Sequence, residues 1–165
     1  MLDGIEFETK KKPSSEELFA FYQRQHHPTT QSPAKLQRML NNTFFVVTAR
    51  REGELIGFAR GVTDGLSGRL AECKLDPAYQ GPACVTKTDG RIEHDYAGIA
   101  RRMAELVIES LWAFGVEGID AVAYGTEVDF CEELGFRKMP GVVAMGLASA
   151  TRGVRREAAV SGATG

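Results

Sequence analysis

The residues that start at Gly98 have the types expected where a helix binds phosphate. Gly98 and Ala100 are small, so the backbone can approach a pyrophosphate closely. The helix that they begin would direct unpaired N–H groups and the positive end of its dipole at that group. Arg101 and Arg102 follow and could add charge-assisted hydrogen bonds. The segment therefore predicts an anion site, against the alternative of an ordinary N-terminal glycine followed by two solvated arginines.

The segment Leu75–Gly81, LDPAYQG, looks like the end of a strand that enters a phosphate-binding turn. A continuous turn of this kind would reach Gly98 at once, but fifteen further residues, Ala83–Ala97, intervene. The fold can tolerate the insertion, because each doubling of loop length costs only about 0.6 kcal/mol. The insertion either arches away from the anion site or lies across it, with Ile92 or Tyr96 filling the cleft.

Asp95 stands three residues before Gly98, and its carboxylate has two opposed effects on the predicted anion site. A negative charge at this point would repel a phosphate, whereas aspartate is also a common cap for the start of a helix. Each effect is worth about 1 kcal/mol, so the sequence alone leaves both open.

The elements that must position these residues indicate an α+β fold with helices segregated around a mostly antiparallel sheet. Hydrophobic patterns predict strands at Ile5–Lys10, Phe44–Arg50, Glu54–Val62, Arg69–Leu75, Ile119–Ala123 and Val142–Leu147. Helices are predicted after Pro13, where Ser14 and Glu17 have capping-box spacing, after Ser32 with Pro33 at the first position, and over Gly98–Phe114 and Thr126–Leu134. The second to fourth strands should form an antiparallel meander, because short turns join them.

Composition indicates one domain, residues 1–149, and a tail, residues 150–165, that we expect to be disordered. The net charge of −2 gives no electrostatic case for nucleic acid. No apolar run approaches a membrane span, and the first residues do not form a signal peptide. The three cysteines are widely spaced, which argues against a disulfide framework or a metal site and fits a reducing cytoplasm.

Three motifs, in this order on these elements, resemble the GNAT superfamily of acetyl-CoA-dependent N-acetyltransferases. Leu75–Gly81 is similar to the V-x-P-x-Y-Q-G that ends the family's fourth strand. Gly98–Met103, GIARRM, is similar to the G-I-G-x-x-L/M that begins its long helix. Phe130–Phe136, FCEELGF, is similar to its F-Y-E-K-L-G-F. The resemblance covers Ile5–Leu147 and implies a GNAT-like mixed sheet flanked by helices.

The resemblance also implies acetyl-CoA as co-substrate. In the family the fourth strand splays from the fifth, and the pantetheine arm lies in the gap; by position this assigns the backbone of Cys73, Lys74 and Leu75, with Ile119–Ala123 opposite. The residues implied for the CoA phosphates are Gln80, Gly81, Gly98, Ile99, Ala100, Arg101 and Arg102. The chain departs from the family at the interrupted loop and at Asp95, where a glutamine or arginine usually stands.

The proton-transfer residues are candidates by position within the same resemblance. Glu72 is the best carboxylate for a general base, although an ordinary surface role and a water chain are open alternatives. Cys131 stands where many relatives have a tyrosine that protonates the leaving thiolate; a thiol could serve, but a lone cysteine in a helix is usually just buried. Tyr124 is the substitute acid candidate.

The resulting expectation is acetyl transfer to an amine by direct attack in a ternary complex. The alternatives are an inactive GNAT-fold binding or regulatory module, and a GNAT-fold enzyme with altered chemistry. We expect a small-molecule amine or amino-acid-like acceptor, no nucleic acid, no membrane partner and no metal. Dimers are common in the family, so a homodimer is one expected assembly.

Overall fold

The computed structural model describes residues 2–26, 28–80, 95, 97–125 and 127–148. These residues form a mixed α+β structure with one five-stranded sheet, which confirms the predicted fold class. Gly81, most of the Ala83–Ala97 insertion and the tail of residues 150–165 lie outside the described residues.

The sheet is an antiparallel meander with one parallel strand added at its edge. Its strands are β1 (Ile5–Glu8), β2 (Phe45–Arg51), β3 (Glu54–Thr63), β4 (Ser67–Leu75) and β5 (Gly118–Asp120). They lie side by side in chain order; the first four are antiparallel, and β5 runs parallel to β4. The predicted meander of β2, β3 and β4 is therefore confirmed.

The helices are α1 (Ser15–Gln23), α2 (Pro33–Asn41), α3 (Ile99–Phe114) and α4 (Glu127–Glu133). The first two begin directly after Ser14 and Ser32, as the sequence predicts. The Ser14 hydroxyl accepts a hydrogen bond from the Glu17 backbone N–H at 3.1 Å, and Ser32 does the same for Lys35 at 3.3 Å. Each bond satisfies an N–H that has no partner within the helix.

The helices cover the two faces of the sheet with separate apolar cores. One core joins α1 and α2 to the sheet through residues such as Leu18, Phe21 and Phe58. The other joins α3 to the opposite face through Met103, Val107 and Leu111. The described part of the chain has no helix that is long and apolar enough to cross a membrane.

Two predicted strands near the end of the chain differ from the structure. The fifth strand is Gly118–Asp120 instead of Ile119–Ala123, and the strand predicted at Val142–Leu147 is wrong, because the structure assigns no strand there. Val143 and Met145 in that segment are 77% and 93% exposed. Apolar alternation suits a strand, but a strand also needs a neighbour to pair with, and β5 ends at Asp120 before the segment could pair along it.

Candidate active site

Strands β4 and β5 are paired at one end and open at the other. Their register joins Ser67, Gly68 and Arg69 to the three residues of β5 and stops there. Between Glu72 and Leu70 the pairing of β4 with β3 shifts by one residue, which makes Ala71 a β-bulge. A bulge bends and twists its strand. The remaining length of β4 therefore has a strand neighbour on the β3 side alone, within the described ranges.

The opening lies beside Cys73, Lys74 and Leu75 and leads to the start of α3. The Cys73 thiol donates a hydrogen bond to the Ala100 carbonyl at 3.4 Å, which joins β4 to the first turn of that helix. Burial raises the pKa of Cys73, and the nearby Asp95 carboxylate raises it further. Cys73 therefore stays a neutral thiol at neutral pH, and its side chain faces α3.

The start of α3 is capped by Asp95. Gly98 has a φ of 73°, a left-handed conformation that favours glycine, and its N–H donates to the Asp95 carbonyl at 3.0 Å. The Asp95 Oδ2 accepts a hydrogen bond from the Arg101 N–H at 2.8 Å. Asp95 Oδ1 is buried and has no hydrogen-bond partner among the described residues. The structure therefore contains the helix cap that the sequence allowed for at Asp95.

The two arginines of α3 are already paired with glutamates. Arg101 Nε donates to Glu105 at 3.3 Å, and Arg102 donates to Glu105 at 3.4 Å and to Glu109 at 3.0 Å. The hydrogen bond with Glu109 is the main cause of the raised pKa of Arg102. Because exposed pairs of this kind are worth at most about 1 kcal/mol, a phosphate could replace the glutamates as partner.

Gln80 closes the turn after β4. Its side-chain Nε2 donates to the Leu75 carbonyl at 2.7 Å, and its Oε1 is buried without a partner. Asp76 Oδ1 accepts from the Ala78 N–H at 2.9 Å, which holds the short 3₁₀ turn Pro77–Tyr79. Gln80 thus shapes the end of β4 in this structure, and the assigned contact with a cofactor stays a prediction.

Glu72 lies on the opposite face of β4, towards α1. It accepts hydrogen bonds from the Tyr22 hydroxyl and from Arg60 Nε, the latter at 2.9 Å. The Glu72 side chain is only 12% exposed. Burial, followed by the Glu72 charge, raises the pKa of Tyr22. Both carboxylate oxygens of Glu72 are therefore hydrogen-bonded to side chains from other elements.

The two acid candidates lie beyond β5 and on α4. The Tyr124 side chain is 56% exposed, and its backbone N–H donates to Glu127 at 3.1 Å. Cys131 is half-buried, and burial followed by the Glu127 charge raises its pKa. A raised pKa keeps the Cys131 thiol protonated at neutral pH, so it stays a candidate donor to a leaving thiolate beside Tyr124.

A separate cleft of about 1020 Å³ lies on the other side of β5. It is lined by Ile108 and Trp112 of α3, by Ala121–Ala123, and by Val142–Met145. Cys131 and the Ile119–Ala123 segment line it, whereas Cys73, Lys74, Leu75 and the start of α3 do not. The chemistry is therefore better sought in the opening between β4 and β5, which carries the backbone groups and the start of α3.

Comparison with known proteins identifies the fold. The structure is similar to a GNAT-family acetyltransferase of Streptococcus pneumoniae (TM-score 0.65, 16% identity, 88% of this chain and 98% of that one). It is also similar to the ribosomal-protein-S18-alanine N-acetyltransferase of Escherichia coli (0.61, 17%, 82% and 79%). A third is the aminoglycoside N-acetyltransferase AAC(6')-Iy, solved in complex with CoA (0.62, 14%, 88% and 95%).

These similarities show that the chain has the fold of the GNAT acetyltransferases, as its three motifs predicted. No family model and no curated protein matches the sequence. At identities this low the shared fold is what the comparison establishes, and the activity has to be argued from the site.

Two features of the site were not predicted from the sequence. Tyr22 and Arg60 hold Glu72, although Tyr22 is fifty residues away along the chain. The glutamate partners of Arg101 and Arg102 were also missed. The glutamate partners could have been predicted, because Glu105 and Glu109 follow the arginines at helical spacing. The contacts of Tyr22 and Arg60 with Glu72 could not, since contacts between separate elements leave no local sequence pattern.

Proposed function

We propose that the protein is an N-acetyltransferase that moves an acetyl group from acetyl-CoA to an amine by direct attack in a ternary complex. The observation that carries the proposal is the opening between β4 and β5, which ends at the glycine-led start of α3. It offers strand backbone to an extended amide-containing arm and helix N–H groups to phosphates, side by side.

The residues fit acetyl-CoA in two parts. Backbone groups of Cys73, Lys74 and Leu75 would pair with the pantetheine arm, because no described strand lies on this side of β4 there. The phosphates would bind at the start of α3, with contributions from the turn after β4. The residues proposed for that role are Gln80, Gly81, Gly98, Ile99, Ala100, Arg101 and Arg102.

The reaction needs one proton removed and one delivered. The amine nitrogen forms a bond to the thioester carbonyl carbon, and the carbon–sulfur bond breaks. We assign Glu72 as the group that takes the amine proton, directly or through water, and Tyr124 as the donor to the leaving thiolate. Cys131 is the second candidate for that donor, because its raised pKa keeps the thiol protonated at neutral pH.

The proposed acceptor is a small-molecule amine or an amino-acid-like amine. Among proteins of this fold, the names of two indicate an aminoglycoside and a ribosomal-protein alanine as acceptors, so the fold accommodates both kinds. We further propose that the protein acts in the cytoplasm as a homodimer. We expect it to act without nucleic acid, membrane or metal.

Calorimetric titration with acetyl-CoA tests the cofactor, and an amine screen that detects released thiol tests the reaction. Gly98→Asp and Gly98→Asn form a matched pair, because both residues tolerate a left-handed conformation and only one carries charge. We expect Gly98→Asp to bind acetyl-CoA at least tenfold more weakly than Gly98→Asn. Equal affinities would contradict the proposed binding of the phosphates at the start of α3.

Glu72→Gln tests the base. It keeps the shape of the side chain and an acceptor oxygen, so we expect acetyl-CoA affinity to be retained while kcat falls by about 10²-fold or more. An unchanged kcat would contradict the assignment of Glu72 as the base. Its role would then be limited to the contact with Tyr22 and Arg60.

One observation favours a second candidate function, a GNAT-fold binding module that does not use acetyl-CoA. The carboxylate of Asp95 occupies an N–H group at the start of α3 that a phosphate would need. The absence of acetyl-CoA binding at millimolar concentration would support this candidate over the enzyme.

A further inference from the structure

We propose that the Asp95 carboxylate is an internal competitor for the phosphates of acetyl-CoA, and that the cofactor binds when this carboxylate leaves the start of α3. The inference rests on the proposed function, because it concerns the same anion site. It makes Asp95 the residue that sets the affinity and the anion preference of that site.

The first ground is the identity of the occupied group. Asp95 Oδ2 accepts from the N–H of Arg101, the third residue of α3, at 2.8 Å. The N–H groups of the first turn are the ones that lack a helical partner and point at a bound anion. A phosphate oxygen at this N–H would have to take the place of the carboxylate oxygen.

The second ground is charge. Asp95 and a phosphate at the same helix start would be like charges a few ångströms apart, in a half-buried position where screening is weak. Arg101 and Arg102 are hydrogen-bonded to Glu105 and Glu109, so they offset this repulsion only after a phosphate has displaced those glutamates. The two anions therefore exclude each other from the site.

The third ground is that the internal contact is incomplete. Asp95 Oδ1 is buried and accepts no hydrogen bond from the part of the chain that the structure describes. A buried carboxylate oxygen without a partner carries an unrecovered desolvation cost. Release of Asp95 to water recovers that cost, so the carboxylate is a displaceable ligand of the helix and not a permanent block.

Asp95→Asn tests the proposal, because it removes the charge and keeps an oxygen that can cap the helix. Asp95→Ser is the second variant, since serine caps a helix start without charge. Asp3→Asn is the control: it makes the same change in net charge at an exposed residue before β1. The probes are acetyl-CoA and, separately, inorganic pyrophosphate, each titrated by calorimetry at low and moderate salt, with the Tm of each variant as the measure of folding.

We expect both Asp95 variants to bind acetyl-CoA and pyrophosphate about tenfold more tightly than the wild type, and Asp3→Asn to bind like the wild type. Wild-type binding of acetyl-CoA with equal or weaker binding by the folded Asp95 variants would overturn the competitor and leave the proposed function standing. Tighter pyrophosphate binding by the variants without any acetyl-CoA binding would support the competitor and sink the proposed function. No binding of either probe by any variant would overturn both.

Discussion

Strand β4 has two different sides. Towards β3 it is paired from Gly68 to Leu75, with one bulge. Towards β5 it is paired over three residues and then open. The same strand is thus held along one edge, while the other edge has no strand partner beyond Arg69 in the described ranges. The paired edge fixes the position of the open edge, where we propose that acetyl-CoA binds.

The contrast extends from backbone pairing to side-chain packing. On the face of the sheet that α3 covers, the packing is close. A Cβ added at Gly57 or Gly61 of β3 would lie 2.7 Å from a side-chain atom of α3. Beyond β5, the Val142–Leu147 segment exposes apolar side chains. The two regions should therefore respond very differently to the same substitution.

The largest expected effect compares two methionines. Met103 is fully buried in the core between α3 and the sheet, whereas Met145 is 93% exposed. Met103→Ala should lower the free energy of unfolding by about 2–5 kcal/mol, because it leaves a cavity, and Met145→Ala should change it by less than about 0.5 kcal/mol. Urea unfolding measures both. A large cost at Met145 would mean that the last segment is packed in solution, and the contrast would fail.

The next effect compares two glycines. A Cβ at Gly61 would lie 2.7 Å from Val107 Cγ1, whereas one at Gly118 of β5 would meet no described atom within 4 Å. Valine is stiff, so Gly61→Ala should cost about 1–3 kcal/mol, and Gly118→Ala should be close to neutral. The comparison is made by the same unfolding experiment. Equal costs at the two positions would show that α3 can move away from the sheet.

The smallest effect concerns two ion pairs and their pH dependence. Arg50 holds Glu17 through hydrogen bonds that lower the Glu17 pKa, and Arg69 holds Asp120 in a pair that is half exposed. The Glu17 pair stabilises the fold above the usual Glu pKa of 4.5, and this contribution is lost as the pH falls through the lowered value.

Glu17→Gln should therefore cost about 1 kcal/mol at pH 7 and flatten the fall in Tm between about pH 5 and pH 3. Asp120→Asn should cost less than about 0.5 kcal/mol at pH 7, because its pair is more exposed. A Tm profile of Glu17→Gln parallel to that of the wild type would contradict the assigned contribution.

Local signals predicted most of the fold. Ser14 and Ser32 mark the starts of α1 and α2, Gly115 ends α3, and the turns fix the β2–β3–β4 meander. The failure at Val142–Leu147 has a physical reason: alternation specifies a face, but pairing depends on a neighbour that is distant in the sequence.

The candidate site was predicted unevenly for the same reason. The family resemblance implied the opening beside Cys73, and a motif on a single element predicted the helix start at Gly98. The hold of Tyr22 and Arg60 on Glu72 joins three elements and could not be predicted from any one of them. Asp95 is an intermediate case. The sequence placed its carboxylate just before α3 but left open whether the carboxylate would cap the helix or repel a phosphate.

The open edge of β4 has a consequence for hydrogen exchange. Backbone N–H groups along a strand point alternately to its two sides. Between Leu70 and Leu75, those directed at β3 lie in a ladder, whereas the alternate ones face the opening. Exchange with deuterium should therefore alternate between slow and fast along one strand, and an arm bound in the opening would slow only the fast set.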